Sequence, residues 1–463
     1  MKYTDAQIKA INQGRNPAIV SAGAGSGKTA VLTQRVVRLI CDKNENIDPS
    51  KIVVVTFTEK AANELKARLD ALMRLRINEA VSSADVRFLR NQRMKLRKAR
   101  ISTISSFCFS LLRENADLVT DISAGFSLID ETRSKALKED ILSDMLEDFY
   151  ANGDNADRDV IVENYVAKDD SRLRDIILTV HEKAINHTEP EKWLDRSDDP
   201  QIMQDIKKKL ISLAGMYAER FESEADSLDS AIAEYDGGTK DNDSAIAKHS
   251  DYAQGIKDSY GKAVTALVKN GFSIDDTVKG YIASFPKERA PQDRSAEKQV
   301  KAHREGVKSI FEKYFIKTCD KITSFESDMA KSLPAVTALK NLVLCFDKAY
   351  SAEKQRRNCA DFSDAERGVY RMLCENGEKV RERSGFSLII VDEFQDSNEL
   401  QYEIFKMLTE SKQGLYFVGD IKQSIYGFRG AQPSVFSAIC KSDDFDKLPL
   451  NENFRSAGAL LTE

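Results

Sequence analysis

Between Ser21 and Leu32 the chain reads SAGAGSGKTAVL, and these residue types suit one task, the holding of phosphate. Gly23, Gly25 and Gly27 let the backbone enter positive φ and lie close to a ligand, so that successive N–H groups converge on one concavity. Lys28 adds a point charge for the outer phosphates, Thr29 a hydroxyl for Mg²⁺, and the helix that begins there the positive end of its dipole. The strict pattern G-x-x-x-x-G-K-[ST] has glycine where this chain has Ala22, so the match is to a variant. NPAIVSA ahead of the loop reads as a short buried strand, and AVLTQRVVRLI behind it carries apolar residues at helical spacing. The plain alternative is a flexible Gly/Ser linker, which gives no reason for Lys-Thr at a helix start.

A second group of residues supplies acids. In SLIIVDEFQD, four apolar residues make a buried strand and Asp392 stands at its carboxyl end, where α/β sheets bind ligands. Asp392 there holds Mg²⁺, and Glu393 polarises a water for attack on a terminal phosphate. A solvated strand end explains an Asp-Glu pair taken alone; a phosphate loop earlier in the same fold argues for the chemical reading. The next strand, LYFVGD, runs into IKQSIYGFRGA. Asp420 and Gln423 follow its end, within reach of the phosphates, and Phe428 beside Arg429 suits base stacking with a cationic anchor. Taken singly, Phe428 and Tyr426 also read as core aromatics.

These residues need a scaffold, and the texture of the chain provides one. From Met1 to about Arg113, strands such as KIVVVTF and ARISTIS alternate with helices such as EKAANELKARLDALM, the pattern of a parallel α/β sheet. The same texture returns near Phe386 with FSLIIVDEF, GLYFVGD and KLPLNENF as strands and NELQYEIFKMLTE and PSVFSAICK as helices. Residues 114–385 are almost free of strand signals and read as a mainly helical insertion, with loops near YDGGTKDNDS and PKERAPQDRS. The expected division is therefore 1–113 and 386–450 as one α/β domain, 114–385 as the insertion, and 451–463 as the start of something further. NENFRSAGALLTE begins a helix and stops uncapped, as expected of a chain cut from a longer protein.

With 463 residues, 41% apolar and 31% charged, the composition is that of a globular protein of two or three domains. No apolar run approaches the ~18 residues of a membrane span, and MKYTDAQIKAI lacks the apolar stretch of a signal peptide, so a cytoplasmic location is expected. Seven scattered cysteines without C-x-x-C, and four histidines without metal spacing, read as reduced thiols and no metal cluster. The net charge of -5 excludes a protein that coats nucleic acid with its whole surface but allows a local basic groove. Arg87, Arg90, Arg93, Lys95, Arg97, Lys98 and Arg100 form a run without an acid, with Leu89, Leu96 and Ala99 on an apolar face. It reads either as a solvated helix face or as a phosphate-binding stripe.

In their order these stretches resemble the superfamily 1 helicases of the UvrD, PcrA, Rep and RecB type. YTDAQIKAI resembles the adenine-reading Q motif, AGAGSGKT motif I, TFTEKAANELKARL motif Ia and ISTISSFCFSLLREN motif Ib. LIIVDEFQDSNELQYEIF resembles motif II, LYFVGDIKQSIYGFRGA motif III, and LNENFRS the opening of motif IV. In that family alanine is usual at the first loop position. Within it, SFCFSLLRENADLVTDISAGFSLIDE and DFSDAERGVYRML look most like the AddA family of helicase and nuclease subunits.

The resemblance implies a RecA-like P-loop domain, interrupted by a helical subdomain, that moves along single-stranded DNA at the expense of ATP and Mg²⁺. It implies Gln7 on the adenine edge and Phe454 near the adenine. The loop Ala22, Gly23, Ala24, Gly25, Ser26, Gly27, Lys28 and Thr29 would lie on the phosphates, with Thr29 and Asp392 on Mg²⁺. Glu393 becomes the catalytic base, Gln423 the γ-phosphate sensor, and Arg455 a motif IV arginine that reaches the γ-phosphate. Phe57 and Phe428 are expected against bases, with Thr56, Thr103 and Arg429 near the strand. Expected partners are single- and double-stranded DNA and an AddB-like subunit, with no membrane, in double-strand break repair and recombination.

Ser105 departs from the family, which usually has histidine there. Motifs V and VI, the second RecA-like domain and the AddA nuclease would all lie beyond Glu463, so the chain alone is expected to hydrolyse ATP very slowly. A stand-alone UvrD-like repair helicase shares every motif. A P-loop switch or kinase that uses nucleotide without DNA is a rival of another class, although no N-K-x-D or L-S-G-G-Q sequence occurs. A third is a protein-interaction scaffold presenting the helical insertion.

Overall fold

The computed structural model describes residues 3–45, 47–119, 125–196, 199–238, 244–285, 298–427 and 430–454. Among them run the strands β1 (Ala18–Ala22), β2 (Ile52–Thr56), β3 (Arg100–Thr103), β4 (Ser127–Leu128), β5 (Cys359–Ala360), β6 (Leu388–Val391), β7 (Leu415–Gly419) and β8 (Asp446–Leu450). Every residue of β2, β6 and β7 is buried, as unbroken apolar runs require when helices cover both faces of a sheet. Six strands pair in the order β3-β2-β6-β7-β1-β8, and each pairing is parallel. The expected α/β fold with a parallel sheet is present.

Alternation along the strands divides the core between two faces. Val20, Val54, Ile390 and Val418 point to one face, where the helices Lys28–Cys41 and Glu59–Glu79 bring Val31, Leu32, Leu65 and Leu69. Ile19, Val53, Ile389 and Phe417 point to the other, which Ile104–Glu114, Phe362–Ser384, Glu399–Met407 and Pro433–Lys441 cover. Because all six strands run the same way, their carboxyl ends share one edge of the sheet. The loops after β1, β2, β6 and β7 therefore open on a common side, with β7 lying between β1 and β6.

The helical stretch 114–385 is not uniform. Residues 195–338 form a compact unit, and residues 1–194 with 339–463 form another. In the latter, Phe362–Ser384 starts at a capping box between Asp361 and Asp364 and lays Ala365, Val369, Met372 and Leu373 on the sheet. The only strands found in the described part of 114–385 are the two-residue β4 and β5, paired in parallel. The unit 195–338 has its own core, built on Phe221, Leu228, Tyr260, Leu267, Phe311 and Phe315. There the Tyr260 and Phe311 rings stack at 4.8 Å, and the Tyr260 hydroxyl donates to Glu312 at 2.7 Å.

One helical run, residues 298–356, contains an 18-residue window of mean hydropathy 1.2. Of its large apolar side chains, Phe311, Phe315, Phe346 and Tyr350 are buried in protein, while Tyr314 and Leu333 are exposed. The basic run expected as a helix face is the helix Ser83–Leu96 and the turn after it, with Leu89 and Leu96 buried. Arg93 pairs with Asp70 at 2.6 Å and Lys95 with Asp48 at 3.4 Å, which favours the solvated-face reading.

Candidate functional site

The phosphate loop begins where β1 ends. Gly25 and Gly27 have φ of 77° and 83°, conformations that an L side chain rarely adopts. A Cβ at Gly27 would also stand 3.0 Å from the Gln7 amide nitrogen, a contact that would push that amide aside. Gly27 precedes the helix Lys28–Cys41 with no side-chain cap, so the first N–H groups of that helix keep their donor capacity facing the loop. Ser26 is buried, and its hydroxyl has no hydrogen-bond partner among the described residues. Converging N–H groups, an orphaned hydroxyl and a lysine fit a phosphate.

Gln7 is 7% exposed and holds this loop from behind. Its amide donates to the Ser26 carbonyl at 2.9 Å, and its oxygen accepts the Thr4 N–H at 3.1 Å in the capping box of the helix Asp5–Asn12. The Phe454 N–H donates to the Gly25 carbonyl at 2.9 Å, and the residue is 58% exposed beside the loop. Arg455 lies outside the described residues.

The acids meet the lysine directly. Lys28 Nζ is 3.0 Å from Glu393 Oε2 and 3.4 Å from Gln423 Oε1, joining residues from the loops after β1, β6 and β7. Glu393 sits at φ 54°, ψ 42°, a left-handed conformation that costs a residue other than glycine about 1–3 kcal/mol. Its N–H bond to Asp392 Oδ1 at 3.1 Å and its ion pair with Lys28 hold it there. Burial and the neighbouring Glu393 charge push the Asp392 carboxyl up to about 6, against the pull of Lys28. Thr29 and Asp392 line the same cavity of about 340 Å³ and offer the hard oxygen ligands that a small divalent cation takes.

That cavity extends to aromatic residues. Phe57, directly after β2, stacks on Tyr426 with ring centroids 4.2 Å apart, and both line it together with Thr56 and the 70% exposed Ile425. Thr56 is buried, and its hydroxyl donates to the Thr58 carbonyl at 2.9 Å. Thr103 caps the helix Ile104–Glu114, accepting the Ser106 N–H at 3.4 Å. Ser105 donates to the buried Glu366 at 3.1 Å. Phe428 and Arg429 lie outside the described residues.

The chain matches the UvrD/REP helicase N-terminal domain over residues 3–444. It belongs to the UvrD/REP helicase family. Curated relatives, each named as a subunit of an ATP-dependent helicase/nuclease, resemble this UvrD/REP domain along almost its whole length. The one from Ruminiclostridium cellulolyticum is 30% identical over 98% of the chain, that from Staphylococcus carnosus 31% over 99%, and that from Geobacillus thermodenitrificans 30% over 99%. The chain spans 38%, 38% and 39% of those relatives' lengths. UvrD/REP membership implies the use of ATP, which the phosphate loop and its lysine fit.

Sequence reasoning missed Gln395. It is 2% exposed, and its amide donates to Glu393 Oε2 at 2.8 Å and to Asp396 Oδ2 at 3.1 Å, while its oxygen accepts the Asp420 N–H at 2.9 Å. Its only signal was a glutamine enclosed by acids just past a buried strand.

Proposed function

We propose that this chain is the ATP-binding half of a motor that moves along single-stranded DNA, within a helicase-nuclease of the AddA type. The observation that carries the reading is the convergence of Lys28, Glu393 and Gln423 at the carboxyl edge of the sheet, beside the Phe57–Tyr426 stack. Lys28 holds the outer phosphates, Gln7 and Phe454 flank the adenine, and Glu393 takes the proton of the attacking water. Gln423 reports the state of the γ-phosphate. Thr29 and Asp392 would hold Mg²⁺, which supplies charge neutralisation at the phosphates.

Residues 1–113 and 386–450 act in this reading as the first motor domain, 114–385 as its insertion, and 451–463 as the entry to a second motor domain. Phe57 faces the bases, with Phe428, Arg429, Thr56 and Thr103 alongside, and Arg455 reaches the nucleotide. The whole protein works in the cytoplasm on double-stranded DNA ends with an AddB-like subunit, in break repair and recombination.

The test is the anisotropy of a fluorescein-labelled single-stranded oligonucleotide titrated with the chain, with and without Mg-ATPγS. Binding is expected, and the nucleotide should change its affinity by about fivefold or more, as coupled sites require. Absence of DNA binding under both conditions contradicts the proposal.

A further inference from the structure

We propose that the helix Ser83–Leu96 carries a second DNA surface, a row of unpaired cations that holds the phosphate backbone of a duplex. The choice of DNA as occupant rests on the reading of the chain as a DNA motor. On one side of this helix Leu89 and Leu96 join the core of the sheet. At 3.6 residues per turn, Arg87, Arg90, Met94 and Arg97 fall within roughly 80° of arc on the opposite side. All four are exposed, as is Lys98 in the turn that follows. Arg93 and Lys95 flank the row on its two sides and engage the nearby acids, Asp70 and Asp48. Pairing therefore accounts for the flanks alone. Among the described residues no carboxylate pairs with Arg87, Arg90, Arg97 or Lys98, and no acid occurs in the sequence from 87 to 100.

Such a row brings the fold no gain of its own, since like charges one turn apart, as Arg87 and Arg90 are, weaken a helix. Its chemistry suits phosphate: a guanidinium fork matches two oxygens of one phosphate and stays charged. The apolar member of the row is Met94, 68% exposed. The helix has one aromatic ring, that of Phe88, which is half-buried with Lys43 Nζ 5.4 Å from its centroid. No ring in the row is offered to a base. A single strand would leave its bases unstacked there, whereas a duplex turns its phosphates outward and keeps its bases stacked within. From Arg87 to Arg97 the row runs about 15 Å along the helix, the length of about four nucleotides of one strand. Two ion pairs place it in the fold: Lys95 to Asp48, just ahead of β2, and Asp85 to Lys43, just past the helix Lys28–Cys41. Both stand at the amino ends of the strands, on the edge opposite Lys28 and Phe57. The duplex held there is a different stretch of DNA from the strand proposed at Phe57.

The test compares the wild type with a triple variant, Arg87→Gln, Arg90→Gln and Arg97→Gln, by anisotropy of a labelled blunt duplex and a labelled single strand at several salt concentrations. The wild type is expected to bind both. The variant should bind the duplex at least about tenfold more weakly, and the slope of log affinity against log salt should become shallower by about 2–3, as the loss of three phosphate contacts requires. Its affinity for the single strand should persist. Met94→Glu leaves every arginine in place and puts a negative charge in the middle of the row, so it should weaken duplex binding as well. Duplex affinity and slope of wild-type size in the triple variant, or duplex affinity of wild-type size in Met94→Glu, overturns the proposal. An equal loss on the single strand reveals a general attraction for polyanions and overturns it too. If the triple variant keeps its duplex affinity but loses binding of a labelled polyglutamate, the row belongs to an acidic protein and not to DNA. Binding of the single strand without binding of the duplex by the wild type overturns the second surface and leaves the motor reading standing; binding of neither overturns both.

Discussion

At the scale of single residues, the site is held together by contacts that only a folded chain can make. Glu393 keeps a left-handed backbone and shares Lys28 with Gln423, so the acid nearest the phosphate loop is oriented before any nucleotide arrives. A general base contributes about 10²–10⁴ in rate. Glu393→Gln should therefore slow hydrolysis by about that factor while nucleotide binding persists, since the amide remains isosteric; single-turnover phosphate release would measure it. An unchanged rate would remove Glu393 from the role of base. Lys28, Thr29, Asp392 and Glu393 were legible in the sequence because each chemical task permits few residue types at a fixed distance from a strand end. Gln395 was not, since an amide between two acids in a turn has no distinguishing pattern until Asp420 is brought beside it. The resemblance implied a nucleotide role for Gln7, while its bond to the Ser26 carbonyl carried no sequence signal.

At the scale of elements, buried apolar runs made the sheet readable and left its neighbours unassigned. The helical spacing of 362–384 shows that one face is apolar, yet not that this face lies against β-strands rather than other helices. The same limit applies to the loop after β7, whose aromatic residues fit either a core or a surface; Tyr426 is half-buried and stacked on Phe57. Stacking of a base on an aromatic ring is worth about 1–3 kcal/mol by alanine substitution. Phe57→Ala is expected to lose affinity for single-stranded DNA by about that much, equally on mixed and homopolymer strands. Because stacking releases no counterions, the dependence of affinity on salt should keep its slope. Anisotropy at several salt concentrations reads both, and a melting curve separates lost stacking from lost fold. A steeply altered slope, or unchanged affinity, would contradict the placement of Phe57 on the DNA side.

At the scale of the whole molecule, a chain with a net charge of -5 can bind DNA only through restricted surfaces, and the proposed reading puts the one for single strands on the carboxyl edge of the parallel sheet, beside the proposed nucleotide site. The match to the UvrD/REP helicase N-terminal domain spans five of the six strands of the sheet and the compact unit 195–338, while the residues proposed to bind nucleotide all belong to the unit formed by 1–194 and 339–463. Everything proposed for the motor depends on ATP being held by Lys28. Calorimetric titration of Mg-ATP into the wild type and Lys28→Ala tests this most directly. The wild type should bind one nucleotide per chain, and the variant, with an unchanged melting temperature, should bind at least about tenfold more weakly, a loss of about 1.4 kcal/mol. Equal affinity in a folded Lys28→Ala variant, or no binding of Mg-ATP by the wild type, would contradict the account.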